Sequence, residues 1–146
     1  MREKTMIKVK ELTGAQIQKI CEIEGMVYPS CMRSLEDIES PKDLLEYCES
    51  KKAMAMIGED WYLLATPHEV VDLACTSSLS LEEINQIFNA LKAYYGTKKF
   101  TLDARKTTSY RLLKVYASRG RIKIHSEEEW YWDDEVMCEM TLSFIL

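Results

Sequence analysis

The chain has 146 residues, 47% of them hydrophobic and 29% charged, with a net charge of −5. That is core material for a single domain, 1–146, and too little length for two comfortable ones. Five glycines and three prolines exclude fibrous and low-complexity classes; no apolar run nears the roughly 20 residues of a membrane span, and the acidic balance disfavours phosphate backbones, so neither a membrane nor a nucleic-acid partner is expected.

The start, Met1-Arg2-Glu3-Lys4-Thr5, is charged and no apolar signal segment follows, so the chain reads as cytoplasmic. Residues 6–12 alternate and predict a first strand. Thr13 then opens a helix: its hydroxyl can cap the backbone while Gln16, three places on, reaches back as a capping box. Ile17, Ile20, Cys21, Ile23 and Val27 give the apolar stripe. The helix stops before Tyr28-Pro29, because the residue ahead of a proline avoids helical angles. Ser40-Pro41-Lys42-Asp43 starts a second helix, with a cap, a proline at the first position and a carboxylate at the positive end. Leu44, Leu45 and Cys48 carry its buried face.

Residues 53–57 and 61–65 read as strands joined through Gly58-Glu59-Asp60, and 69–75 as a third strand. The next helix is the clearest. Leu81, Ile84, Phe88, Leu91 and Tyr95 fall at steps of three and four, Ser80 and Glu83 form its capping box, and Gly96 ends it. Residues 100–104 are a strand. A helix over 108–119 turns Leu112, Leu113 and Tyr116 inward and ends at Gly120. Ile122 and Ile124 lie on a strand. Residues 136–146 form the last one, whose apolar stretch from Met140 could pair with a partner chain in a homodimer.

The order is β-α-α-β-β-β-α-β-α-β-β. Its central part calls for a parallel crossover and its flanks for antiparallel hairpins. A mixed sheet with helices on both faces is the natural packing. Cysteines at 21, 31, 48, 75 and 138 show no C-x-x-C spacing, and His68 and His125 sit in unrelated contexts, so no metal is expected.

Two segments carry a family resemblance. One is Ile20-Cys21-Glu22-Ile23-Glu24 leading to Tyr28-Pro29. The other runs from Ala104-Arg105 through Ser109-Tyr110-Arg111-Leu112-Leu113-Lys114-Val115-Tyr116 to Gly120. With the element order, they make nearly the whole chain similar to the GNAT superfamily of acetyl-CoA-dependent N-acetyltransferases. Arg121 departs from the family's usual phenylalanine at that place. The resemblance implies an α/β (α+β) fold: a central mixed, mostly antiparallel sheet, helices on both faces, and a splayed parallel strand pair that admits acetyl-CoA. The coenzyme's pyrophosphate would rest on the N-terminus of the following helix. Backbone N–H groups and the helix dipole attract an anion there, and glycines let the phosphates come close.

In this chain that seat would comprise Thr76, Ser77, Ser78, Ser80 and Leu81, after Leu73, Ala74 and Cys75, whose N–H groups would polarise the acetyl carbonyl. The loop has no glycine, arginine or glutamine, and Glu82 and Glu83 occupy the first turn. A carboxylate close to a phosphate charge costs about 1 kcal/mol even in water. By resemblance Tyr116 would protonate the leaving thiolate. Glu69 or Asp72 would take the amine's proton, and strand alternation puts those two on opposite faces. Tyr28, Trp61 or Tyr62, Trp130 and Trp132 would wall the acceptor pocket for a small-molecule or peptidyl amine. The acidic runs Glu127-Glu128-Glu129 and Asp133-Asp134-Glu135 would suit a cationic amine or a basic partner. The expected activity is N-acyl transfer from acetyl-CoA; the degenerate loop points instead to a non-catalytic GNAT-like binding or regulatory module that has lost pyrophosphate binding.

Overall fold

The computed structural model describes residues 6–27, 41–132 and 134–145; the side chains of Pro41, Lys42, Leu44 and Trp132 lie outside the described set, as do Tyr28 and the Ser40 cap. In chain order the elements are β1 (Ile7–Lys8), α1 (Gly14–Val27), α2 (Pro41–Ser50), β2 (Met54–Ile57), β3 (Trp61–Ala65), β4 (Val70–Cys75), α3 (Leu81–Tyr95), β5 (Phe100–Arg105), α4 (Ser109–Ser118), β6 (Ile122–Trp132) and β7 (Glu135–Phe144). Among the described residues they make a mixed α/β architecture of two sheets and four α-helices. Among the described residues no helix is long and apolar enough to cross a membrane.

The residues gather into two compact units, 1–67 with 71–90, and 68–70 with 91–146. The first carries the sheet β1-β2-β3-β4. Ile7 stands opposite Ala55, and Met54 opposite Ala65. The predicted first strand is cut short. Val9 turns inward, its N–H bonds the Ala53 carbonyl at 3.0 Å, and Val9–Glu11 wind into a single 3-10 turn. The Thr13 box then forms in both directions: Thr13 N–H donates to Gln16 Oε1 at 2.9 Å, and Gln16 N–H to Thr13 Oγ1 at 3.2 Å. Ile20 and Ile23 of α1 and Cys48 of α2 pack with Tyr62, Leu64, Ala55 and Ala74 in one core. Trp61, next to Tyr62 on β3, takes the opposite face by strand alternation.

The second unit carries the sheet β5-β7-β6. Phe100 on β5 and Ile124 on β6 flank Leu142 of β7. Tyr95, at the end of α3, stacks on Phe100 with ring centroids 4.0 Å apart, and Phe100 stacks on Phe144 at 5.5 Å. Gly96 and Gly120 end their helices at φ of 59° and 72°, angles that disfavour a side chain.

Three expectations need correction. Both sheets are antiparallel, so the splayed parallel strand pair does not form as a ladder. β5 takes its ladder from β7, and parallel pairing among the described residues is limited to one bridge, Glu69 with Thr101. Secondly, the apolar C-terminal strand is not an edge. β7 lies between β5 and β6, so its backbone is paired on both sides and cannot add a partner's strand. Thirdly, Ile17, Leu81 and Leu112, predicted inward, are 37%, 72% and 38% exposed, while Ile87 is buried. A stripe at steps of three and four fixes a helix face only to within about one residue's 100°.

Candidate functional site: the capped start of α3

The residues 76–80 join β4 to α3. Ser80 and Glu83 close the helix start reciprocally: Ser80 N–H donates to Glu83 Oε1 at 3.0 Å, and Glu83 N–H to Ser80 Oγ at 3.1 Å. The other oxygen of Glu83 is also engaged. Trp61, fully buried on β3, donates its indole N–H to Glu83 Oε2 at 2.6 Å. A buried indole N–H without an acceptor would cost about 1–3 kcal/mol, so Glu83 is fixed by the core as well as by the cap. Gly58 makes room for the indole: a Cβ there would lie 2.0 Å from Trp61 Nε1.

The preceding loop is tied back to β3. Thr76 N–H donates to the Asp60 carbonyl at 2.9 Å, Thr76 Oγ1 to the same oxygen at 3.3 Å, and Ser77 Oγ to Asp60 Oδ2 at 3.4 Å. Thus two of the hydroxyls read as phosphate ligands bond Asp60, and a third, Ser80, holds the Glu83 N–H. Asp60, Glu82 and Glu83 put three carboxylates around one loop and one helix turn. A helix N-terminus is a natural anion seat. Here the Glu83 carboxylate accepts the Ser80 N–H at that place, and a diphosphate would meet its repulsion.

The other expected site residues are divided between the two units. Asp72 is buried in the first unit and accepts a 2.5 Å hydrogen bond from the Tyr62 hydroxyl. Leu73 is 39% exposed on β4, Ala74 is buried and Cys75 half-buried. Leu81 points to solvent. Glu69 lies in the second unit, half-buried, bridged to Thr101. Burial of Tyr95 pushes its phenol pKa up, and the charges of Tyr94 and Glu69 add to that. Tyr116 is buried on α4, with the Arg121 guanidinium 5.7 Å from its ring centroid. Trp130 is half-buried and donates to Asp103 Oδ1 at 2.9 Å. Burial raises the Asp103 pKa, and the indole bond partly reverses this. Tyr28 and the Trp132 side chain lie outside the described residues. Among the described residues no cluster of His, Cys, Asp or Glu could hold a metal, and none of Cys21, Cys48, Cys75 and Cys138 is in a disulfide.

Sequence reasoning missed Asp60, the Trp61–Glu83 bond and the Tyr62–Asp72 bond. Ser80 and Glu83 gave a local signal. The 22-residue step from Trp61 to Glu83 gives none, and only a buried aromatic with a polar handle hints that an acceptor is needed. No model of a known protein family matches the chain, and no curated protein matches it.

Proposed function

We propose that the chain is a GNAT-like domain whose diphosphate seat has become part of the structure, and that it serves as a non-catalytic binding or regulatory module. The observation that carries this reading is the double engagement of Glu83, which caps α3 and accepts from a fully buried tryptophan. To admit a pyrophosphate, Glu83 would have to leave both donors, and its bond to the buried Trp61 indole would be lost. Support for the GNAT-like fold comes from the element order, which follows the one that the resemblance implies.

A second reading keeps the acetyl transfer from acetyl-CoA to an amine. It is favoured by Tyr116, buried on α4 ahead of the left-handed turn at Gly120, where the resemblance places the proton donor to the thiolate. A thermal-shift titration with acetyl-CoA separates the two. A ligand that binds only the folded state raises its stability by RT ln(1 + [L]/Kd). The module reading expects no rise in melting temperature at millimolar acetyl-CoA. A rise of several degrees, with turnover lost in Tyr116→Phe while the rise is kept, would replace it with the enzyme.

A further inference from the structure

The sheet of the second unit has two faces. One is apolar on β5 and β7, where Phe100, Ala104, Cys138, Met140, Leu142 and Phe144 are all buried, and carries Glu127 and Glu129 on β6, paired with Lys114 and Lys106. The other is patterned by charge in rows that cross β5, β7 and β6. In the first row Lys123 stands opposite Ser143, and Lys99 lies just before β5. The bulged His125 joins them, its Nε2 2.7 Å from Ser143 Oγ. Both lysines are close enough to lower the imidazole pKa, after burial. The next row is Thr101, Thr141 and Ser126, hydroxyls throughout; the one after is Asp103, Glu139 and Glu128, carboxylates throughout. Beyond the carboxylates stand Arg105, Met137 and Trp130. Beyond the lysines stands Ile145, 47% exposed, its N–H bonded to the Arg121 carbonyl. Lys99, Asp103, Lys123, Glu128 and Glu139 are all exposed.

Such a face is complementary to itself. Rows are two residues, about 7 Å, apart. Let a second copy be turned over about an axis along the hydroxyl row. Each strand then crosses its own copy in the opposite direction. Lys123 meets Glu128 and Lys99 meets Asp103, each contact occurring twice as two-fold symmetry requires; Ser143 and Met137 on the central strand are buried beneath their neighbours, so the outer strands β5 and β6 and the exposed Glu139 and Ile145 carry the contact. An axis along the strands would instead stack carboxylates on carboxylates, so the pattern selects one orientation. Packed sheets cross at about 30°, and the rows beside the axis therefore match best. Five rows on three strands span about 27 Å by about 14 Å, roughly 400 Å² a copy. That places the contact among weak associations, below about 1,200 Å² in total.

We propose that this face is the contact of a weak, salt-sensitive homodimer, with the two-fold axis along the Thr101–Thr141–Ser126 row. The proposal is independent of what α3 binds. Sedimentation velocity over a wide concentration range, at low and at high salt, tests it. The expected result is a sedimentation coefficient that rises with concentration at low salt and stays at the monomer value at about 1 M, where the Debye length is about 3 Å. Lys123→Glu and Glu128→Lys should each weaken association at least tenfold without changing the circular dichroism spectrum, since both residues are exposed. The double variant K123E/E128K has the wild-type net charge and restores the opposition across the axis, so it should dimerise again. A wild-type monomer throughout, a dimer indifferent to either single change, or a double variant no stronger than the singles would overturn the proposal.

Discussion

Gly58 and Glu83 hold the same tryptophan from two sides, and each makes a sharp expectation. A methyl group at residue 58 would overlap the Trp61 ring, with 2.0 Å to Nε1. Gly58→Ala should therefore cost about 3 kcal/mol or more through overpacking, read by urea denaturation, with a change in tryptophan fluorescence as the indole is displaced. A loss under about 0.5 kcal/mol, the range of ordinary surface changes, would mean that the ring has room to move. Glu83→Ala removes a cap and the acceptor of a buried N–H together, and should cost about 2–3 kcal/mol. Ser80→Ala, which loses only the cap, should cost about 1 kcal/mol. Equal losses in the two variants would show that the Trp61–Glu83 bond adds nothing. Half of this arrangement was legible. Ser-x-x-Glu before an apolar run announces the capping box; the indole that takes the second oxygen comes from a distant strand, and no local pattern carries that pairing.

Elements were read well where their signals are local. Both capping boxes form, β3 spans the residues expected, and the glycines closing α3 and α4 take the left-handed angles that favour glycine. Gly120→Ala should cost about 1–2 kcal/mol, since a Cβ strains that conformation even with open space around it. A melting temperature equal to the wild type would contradict this. Pairing between strands was not legible. The position of β7 between β5 and β6 depends on partners far along the chain on one side, Phe100 with Leu142 for example, and on a hairpin on the other. The contacts of β6 with α4 and with Lys106 ahead of it are also non-local, though over fewer residues. Lys114 Nζ lies 3.1 Å from Glu127, Lys106 lies 2.8 Å from Glu129, and Lys106 sits over the Tyr110 ring at 3.9 Å. The hydrogen bond from Tyr110, then Lys114, holds the Glu127 carboxyl below the usual carboxylate range. A pKa lowered by folding stabilises above the unfolded value and loses that contribution as pH falls through the folded one. Melting temperature should thus decline on acidification below about pH 5, and Glu127→Gln should flatten the decline in that window. Parallel curves for the two proteins would show the network to be indifferent to this proton.

At the scale of the molecule, the structure gives a mixed α/β architecture in which the start of α3, where the resemblance would seat a diphosphate, is held by Glu83 through Ser80 N–H and the Trp61 indole. Composition could not reveal this: the net charge of −5 is modest, and what matters is that Glu83 bonds both Ser80 and Trp61 while Asp60 ties down Thr76 and Ser77. Nor could it reveal the banded face of the second sheet, whose charges are scattered along the sequence and meet only through register. The most direct measurement is the response of backbone amides 77–83 to millimolar acetyl-CoA, followed by two-dimensional NMR of the labelled protein. A diphosphate bound at a helix start must touch those N–H groups. Resonances that stay in place through the titration are expected. A concerted, saturable shift of the amides around Ser78 and Glu82, with release of the Trp61 indole signal, would contradict the closure of α3 by Glu83.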